Sequence, residues 1–178
     1  MASVQSSFAG TATEPRTDGA PQARLRRRVF LVDDHAILRE GLTALLSLEP
    51  DFEVVGDAGT LPEALDRAPA LDPALIVTDL TLPGMASVQG IAELRRACPN
   101  ARLAVLTVHN TEEYIRAALS AGADGYIVKD ASRAELIHGL RAVLTHQMHL
   151  CARSSARVVR SYLGASDRSA PAPVATPR

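Results

Sequence analysis

Apolar runs that end abruptly in a polar or charged residue are the feature that most constrains the fold of this chain. The clearest run extends from Ala74 to Thr78, leads directly into Asp79, and is followed by a turn signal at Pro83 and Gly84. Such a run is typical of a strand buried on both faces, as found in parallel sheets. Open α/β sheets bind ligands beyond the carboxyl ends of their strands. Asp79 is therefore predicted to be a functional residue.

Five runs of this kind alternate with segments that have helical spacing. The predicted strands cover residues 29–32, 53–56, 74–79, 103–107 and 125–128. The predicted helices cover about residues 37–46, 61–68, 88–98, 111–121 and 133–144. Strands that alternate with helices form parallel βαβ units with right-handed crossovers. The expected fold is α/β, with a doubly wound five-stranded parallel sheet between two layers of helices. Gly41, within the first helix, suggests close packing against that sheet.

The composition of the 178 residues is ordinary for one globular domain with tails. A formal net charge of -1 argues against a nucleic-acid surface that covers the chain. No apolar stretch reaches the length of a transmembrane helix, and the N-terminus lacks the order of a signal peptide. Cys98 and Cys151 form no CxxC pair, which fits a reducing compartment. We therefore expect a cytoplasmic protein with no membrane partner.

Residues 1–27 are rich in Ser, Thr, Ala, Gly and Pro and show little apolar periodicity. Segments of this composition cannot bury a core, so these residues are predicted to be a disordered leader. A basic cluster of Arg24, Arg26, Arg27 and Arg28 closes the leader and enters the first strand. We interpret this cluster as a solvated arm, with binding to nucleic acid or lipid as the alternative.

The polar residues at the carboxyl ends of the predicted strands indicate the chemistry of the site. They are Asp33, Asp34, Asp79, Thr107 and Lys129, and in a doubly wound sheet they meet at one edge. Three carboxylates repel one another unless a cation lies between them, and oxygen ligands suit Mg²⁺. A carboxylate beside a metal ion and a lysine can attack a phosphoryl group and form an acyl phosphate. The hydroxyl and the ammonium would then stabilise the charge on the phosphoryl oxygens.

Four motifs resemble the receiver domain of two-component response regulators, most closely that of NarL/LuxR-type transcriptional regulators. They are VFLVDDHAILREGL, LIVTDLTLPGM, LAVLTVHN and GADGYIVKD. The resemblance covers about residues 28–150, and the spacing from Asp79 to Thr107 fits the family without a gap. Each motif is weak alone, whereas the four in order are specific. The resemblance implies the (βα)5 flavodoxin-like receiver fold for residues 28–150.

The resemblance also implies a role for each residue at the sheet edge. Asp79 would be the phosphoacceptor. Asp33, Asp34 and Asp79 would hold Mg²⁺ together with the backbone carbonyl of Thr81. Lys129 would pair with the phosphoryl group.

Further positions match the switching elements of the same family. Thr107 would move to hydrogen-bond the phosphoryl group. Tyr126 matches the switch aromatic, which turns inward with the threonine and reshapes the face made by the fourth helix, fifth strand and fifth helix. Thr81 and His109 match positions that tune the lifetime of the phosphoryl group.

One position departs from the family pattern. Ser87 stands where the family usually has a glycine, and a glycine appears at Gly90 instead. Either the loop after Pro83 takes a different turn, or Ser87 caps the next helix. The departure affects loop geometry and phosphoryl lifetime and removes no catalytic group. His35, next to the two aspartates, is predicted to begin or cap the first helix.

The C-terminal part of the chain carries weaker signals. His146, His149 and Cys151 resemble a metal cluster, but they lack the spacing of a transition-metal site, and a frayed helix end with exposed histidines is the preferred interpretation. Residues 151–178 are predicted to contain a short helix and a Pro/Ala linker. The last four, 175–178, resemble the segment that opens the helix-turn-helix domain of NarL/LuxR-type regulators. Direct DNA binding is therefore expected only through a domain absent from this sequence.

The expected function is that of a phospho-accepting regulator that receives its phosphoryl group from a sensor histidine kinase and controls transcription. Such a protein is not an enzyme beyond its own phosphorylation and dephosphorylation, and it could form a homodimer on phosphorylation. The alternative is a stand-alone receiver that acts by protein contact, or as a phosphorelay intermediate or phosphate sink. A haloacid dehalogenase-type phosphatase is disfavoured, because it requires a DxD motif and this chain has Asp79-Leu80-Thr81.

Overall fold

The computed structural model describes residues 26–83 and 88–150, and these contain six strands and five helices. The strands are β1 (Arg27–Val32), β2 (Phe52–Ala58), β3 (Leu75–Thr78), β4 (Arg102–Thr107), β5 (Gly125–Val128) and β6 (His149–Leu150). The helices are α1 (Ala36–Ser47), α2 (Leu61–Leu71), α3 (Gln89–Ala97), α4 (Glu112–Ser120) and α5 (Arg133–Leu144). All five predicted strands and all five predicted helices are present.

The strands form one parallel sheet in the order β2-β1-β3-β4-β5-β6. The order reverses between β1 and β3, and this reversal is the switch point at which doubly wound sheets bind ligands. Val32 at the end of β1 pairs with Thr78 at the end of β3. Thr107 at the end of β4 pairs with Val128 at the end of β5. This register brings the residues that follow these strands to one edge of the sheet.

Alternating side chains along the strands build a core on each face of the sheet. Phe30 and Val32 of β1 belong to one core, which is covered by α2, α3 and α4. Val29 and Leu31 of the same strand belong to the other, which is covered by α1 and α5. Strands buried on both faces are nearly continuous in apolar residues, which explains why the runs were recognisable in the sequence.

Local capping sets where several helices begin. Ser132 accepts a hydrogen bond from the N–H of Glu135, whose carboxylate accepts the N–H of Ser132, so that the two form a capping box before α5. Thr60 accepts the N–H of Glu63 at the start of α2. This helix continues to Leu71, three residues beyond its predicted end. Pro69 lies inside its last turn, where it removes the N–H that would donate to the carbonyl four residues earlier, and the helix nevertheless continues.

A sixth strand was not predicted. β6 pairs in parallel with β5, opposite Gly125 and Tyr126, and His149 within it lies against Gly139 of α5. The glycines leave room for this contact, because a Cβ at Gly139 would lie 2.8 Å from His149 Cδ2. The interpretation as a frayed end with exposed histidines is therefore wrong for His149, which is half-buried.

Two further expectations can be compared with the described residues. Gly41 is exposed, and nothing lies within 4 Å of a Cβ built on it, so the expected close packing on the sheet is wrong. None of the helices in residues 26–83 and 88–150 is long and apolar enough to cross a membrane. The predicted leader up to Leu25 and the predicted tail from Cys151 lie outside the described residues, as do Gly84 to Ser87.

Candidate phosphoryl-accepting site

The site is centred on an ammonium group shared by two buried carboxylates. Lys129 directly follows β5, and its Nζ lies 2.7 Å from Asp33 Oδ2 and 2.7 Å from Asp79 Oδ2. Asp33 and Asp79 are each 3% exposed. Their separations from Lys129 in the chain are 96 and 50 residues, so only the fold brings them together. Lys129 is also the only lysine of the sequence.

The charges of this cluster are mutually stabilised. Burial alone would raise the pKa of the Asp79 carboxyl, but the hydrogen bond and charge of Lys129, with backbone N–H groups of Leu80 and Thr81, lower the pKa overall. Burial likewise opposes the charge of Lys129, yet Asp33 and Asp79 raise the pKa of its ammonium. Asp79 is therefore ionised at neutral pH, as a nucleophilic carboxylate must be.

Neighbouring donors fix the orientation of the Asp79 carboxylate. Its Oδ1 accepts the backbone N–H of Leu80 at 2.6 Å. Its Oδ2 accepts the Thr81 hydroxyl at 3.3 Å in addition to the lysine. Thr81, predicted to supply a backbone carbonyl to a metal ion and to tune phosphoryl lifetime, thus lies beside the predicted phosphoacceptor.

The donor set fits a divalent cation. Asp33, Asp34, His35 and Asp79 each offer a ligand atom, and these atoms all lie within 4.8 Å of one another. The three carboxylates supply the hard oxygen donors that Mg²⁺ prefers. The Asp34 side chain is 29% exposed, which leaves one side of the cluster open to water. The residues therefore fit the metal that the sequence predicts.

His35 was predicted only as the beginning or cap of α1, and the structure adds a second contact. It occupies the N-cap position, and its backbone N–H donates to Asp33 Oδ1 at 2.9 Å. Its Nδ1 lies 3.1 Å from Asp33 Oδ1 and 2.8 Å from Asp34 Oδ1. Its place directly after two aspartates was the one signal that could have indicated this contact.

The predicted switch residues Thr107 and Tyr126 both hydrogen-bond to the backbone of His109, and Thr107 also bonds to the backbone of Lys129. Thr107 is fully buried at the end of β4, and its carbonyl oxygen accepts the N–H of Lys129 at 2.8 Å. Its hydroxyl accepts the N–H of His109 at 3.4 Å. Tyr126 is fully buried, and its hydroxyl donates to the carbonyl of His109 at 2.9 Å. The His109 ring stacks on Tyr114 of α4, with 4.4 Å between ring centroids.

The other candidate histidines do not join the site. His146 contacts the guanidinium of Arg102, and His149 lies edge-on to His138 with 5.8 Å between ring centroids. Within the described residues, neither belongs to a group that could hold a metal ion. Cys151 and Ser87 lie outside the described residues, whereas Gly90 is buried in α3.

A doubly wound parallel sheet that carries an acidic cluster and a lysine at its switch point is typical of α/β domains that accept a phosphoryl group on aspartate. Comparison with known proteins gives the particular family. The sequence profile of the response regulator receiver domain matches residues 29–141, and the chain belongs to this family. It is a receiver domain homologous to NarL and DevR response regulators.

The similar proteins are bacterial regulators. The DNA-binding transcriptional activator DevR/DosR of Mycobacterium tuberculosis is 36% identical over 144 residues, which are 81% of this chain and 66% of that protein. The nitrate/nitrite response regulator NarL of Escherichia coli is 38% identical over 122 residues, which are 68% of this chain and 56% of that protein. The chain thus spans 56% to 66% of the length of these relatives.

A solved structure supports the same assignment. The crystal structure of a LuxR-family two-component response regulator from an Aurantimonas species superposes with a TM-score of 0.74 at 30% sequence identity. The superposition covers 78% of this chain and 99% of that chain. The predicted receiver fold is confirmed, with the additional strand β6 at its edge.

Proposed function

We propose that this chain accepts a phosphoryl group on Asp79 in the presence of Mg²⁺ and so serves as the input domain of a response regulator. The observation that carries the proposal is the Lys129 ammonium, 2.7 Å from both Asp33 and Asp79 in a buried acidic cluster. Asp33, Asp34 and Asp79, with the backbone carbonyl of Thr81, are the proposed metal ligands. Bound there, Mg²⁺ would neutralise the carboxylates and the phosphoryl oxygens.

The proposed reaction transfers the phosphoryl group without a net redox change. A carboxylate oxygen of Asp79 attacks phosphorus, the bond from phosphorus to the donor breaks, and the donor leaves with that electron pair. The product is an acyl phosphate on Asp79. Lys129 then pairs with a phosphoryl oxygen, and the Thr107 hydroxyl donates to another. The donor in the cell would be the phosphohistidine of a sensor kinase, since response regulators interact with such kinases.

The proposed output follows the relatives, which are named as a DNA-binding transcriptional activator and a nitrate/nitrite response regulator. We propose that residues 28–150 form the receiver and that phosphorylation changes the face of α4, β5 and α5 through Thr107 and Tyr126. That change would control transcription through a DNA-binding domain outside this sequence, or dimerisation. Thr81 and His109 are the proposed lifetime-tuning positions. A stand-alone receiver that acts by protein contact remains the second candidate.

Incubation with acetyl phosphate and Mg²⁺, followed by intact-mass analysis, tests the site. The unsubstituted protein is expected to gain one phosphoryl group, which hydroxylamine removes as it does from acyl phosphates. Asp79→Asn is expected to gain none, because an amide is not a nucleophile. Asp66→Asn is the matched control, because Asp66 is an exposed carboxylate on α2.

Equal phosphoryl uptake by Asp79→Asn and the unsubstituted protein would show that Asp79 is not the acceptor. Continuous turnover of free phosphoesters would instead favour a phosphatase of the haloacid dehalogenase type. Gel-shift assays with the full-length regulator, with and without acetyl phosphate, would separate the transcriptional output from a stand-alone receiver.

A further inference from the structure

Arg39 on the first turns of α1 connects the acidic cluster to a strand on its far side. Its Nη1 donates to the backbone carbonyl of Asp33 at 2.6 Å, and its Nε donates to Asp57 Oδ2 at 2.6 Å. The Arg39 side chain is only 18% exposed, although it carries a charge. Asp57 belongs to β2, the strand that flanks β1 on the side away from Asp79. One guanidinium thus joins α1, β2 and the turn that presents Asp33 and Asp34.

The geometry of these bonds separates Arg39 from the carboxylates it could neutralise. Arg39 contacts the carbonyl of Asp33, and its ion pair among the described residues is with Asp57. The two carboxylates of the acidic cluster that lie closest to it in sequence, Asp33 and Asp34, are therefore left for other partners. A planar guanidinium with fixed donor directions can hold two acceptors in this way, whereas an ammonium is a point charge.

We propose that Arg39, held by Asp57, is a positioning residue that fixes the Asp33-Asp34 turn for binding of a divalent cation. The inference rests on the proposed metal role of these aspartates. Loss of the Asp33 carbonyl bond lets the turn move, so that the two carboxylates no longer meet Asp79 in one arrangement. Loss of Asp57 leaves the guanidinium without its counter-charge and able to pair with the ligand carboxylates, in competition with the metal.

Arg67 provides a matched comparison within the same network. Its Nη1 donates to the backbone carbonyl of Asp57 at 2.7 Å and lies 2.5 Å from Glu63 Oε1. Arg67 therefore ties β2 to α2, as Arg39 ties β2 to α1, but neither of its contacts involves the Asp33-Asp34 turn. A role that is merely structural would make the two arginines equivalent for metal binding.

Isothermal titration calorimetry of the 178-residue protein with MgCl2, without a phosphodonor, measures the Kd for Mg²⁺ and tests the inference. Arg39→Ala is expected to weaken Mg²⁺ binding by about tenfold, the lower end of the range for residues that orient metal ligands. Arg39→Lys is expected to weaken binding as well, because an ammonium lacks the fixed donor directions by which the guanidinium reaches the Asp33 carbonyl and the Asp57 carboxylate at once. Asp57→Asn is expected to weaken it by releasing Arg39. Arg67→Ala is expected to keep the Kd of the unsubstituted protein.

Equal Mg²⁺ affinity of Arg39→Ala and the unsubstituted protein would overturn the inference. Full affinity in Arg39→Lys would also overturn it, because charge alone would then suffice. An equal loss of Mg²⁺ affinity in Arg67→Ala would overturn it too, because both arginines would then act only through the general stability of the fold. Should Arg39→Ala not fold, the Mg²⁺ affinities of Arg39→Lys and Asp57→Asn decide the question. Absence of Mg²⁺ binding by the unsubstituted protein would overturn this inference, while phosphorylation of Asp79 is judged separately by mass.

Discussion

At the scale of single residues, Lys129 determines how the two buried carboxylates of Asp33 and Asp79 coexist at the sheet edge. Folding lowers the pKa of Asp79 below its ordinary value of 3.8, so its contribution to stability is complete above pH 3.8 and is lost as pH falls through the folded value. Folding raises the pKa of Lys129 above its ordinary 10.5, so its contribution is complete below pH 10.5 and is lost as pH rises through the folded value. The ion pair therefore stabilises the fold between these two limits.

Lys129→Met is expected to reverse the response of the protein to mild acid. In the absence of metal, the variant leaves Asp33 and Asp79 buried without their cation, which lowers the free energy of unfolding at neutral pH by about 3 kcal/mol. Loss of Lys129 removes the hydrogen bond and charge that lower the pKa of Asp79, so acid relieves the charge of this buried carboxylate and raises the stability of the variant. The unsubstituted protein, in which the pKa of Asp79 is lowered, gains no stability in mild acid. Urea unfolding in the presence of EDTA, at neutral and at mildly acidic pH, measures the free energy of unfolding of both proteins.

Parallel pH dependence of the two proteins, or an unchanged free energy of unfolding in Lys129→Met, would contradict this account of the lysine. A useful control is Arg116→Met, which removes a cation that is 70% exposed on α4 and pairs with Glu112 at 3.8 Å. Its effect is expected to be within the small range of surface ion pairs.

At the scale of elements, two helical glycines are expected to respond to alanine in opposite directions. Gly41 of α1 has open space around it, so Gly41→Ala is expected to raise the free energy of unfolding by about 0.5–1 kcal/mol through helix propensity. Gly139 of α5 has His149 Cδ2 at 2.8 Å and Ile127 Cδ1 at 2.9 Å from the position of a Cβ. Gly139→Ala is therefore expected to destabilise the protein and to displace β6.

Hydrogen exchange of the backbone amides checks the second part of this prediction. The amide of His149 donates to the carbonyl of Asp124 at 3.4 Å, so displacement of β6 should raise its exchange rate. Unchanged exchange at this amide in Gly139→Ala, with a stability equal to that of Gly41→Ala, would show that α5 and β6 are not packed as described.

The elements differ in how well the sequence predicts them. β1, β3, β4 and β5 were predictable because strands buried on both faces are almost continuously apolar. β6 was not, because two residues show no periodicity and its pairing depends on space left by Gly125 and Gly139. α2 continues three residues beyond its predicted end at residue 68, because Pro69 is accommodated inside the helix.

The same distinction applies to the candidate site. Asp33, Asp34, Asp79, Thr107 and Lys129 could be found because each follows a recognisable strand, and parallel strands end together. The role of Arg39 could not be assigned from the sequence, and the contacts of His35 were indicated only by its place directly after two aspartates. The partners of Arg39 are a backbone carbonyl and a side chain on another strand, and no local pattern encodes either.

At the scale of the whole molecule, divalent cations are expected to stabilise the fold, since an unfolded chain cannot assemble the acidic cluster. At a free Mg²⁺ concentration one hundred times the Kd, the free energy of unfolding is expected to rise by about 2.7 kcal/mol. Thermal unfolding with MgCl2, against NaCl of equal ionic strength, measures the effect. Asp33→Asn is expected to abolish the Mg²⁺-dependent rise in the free energy of unfolding. If this variant shows a rise of equal size, the cation binds elsewhere.

The wide separation of the site residues along the chain has a consequence for protein synthesis. Asp33 and Asp79 leave the ribosome well before Lys129, which lies 50 residues after the second of them. A nascent chain that ends in β4 carries the proposed acceptor aspartate without its cationic partner and without β5, which places that partner beside it. The proposed phosphoryl-accepting site is therefore complete only after β5 and Lys129 have been made.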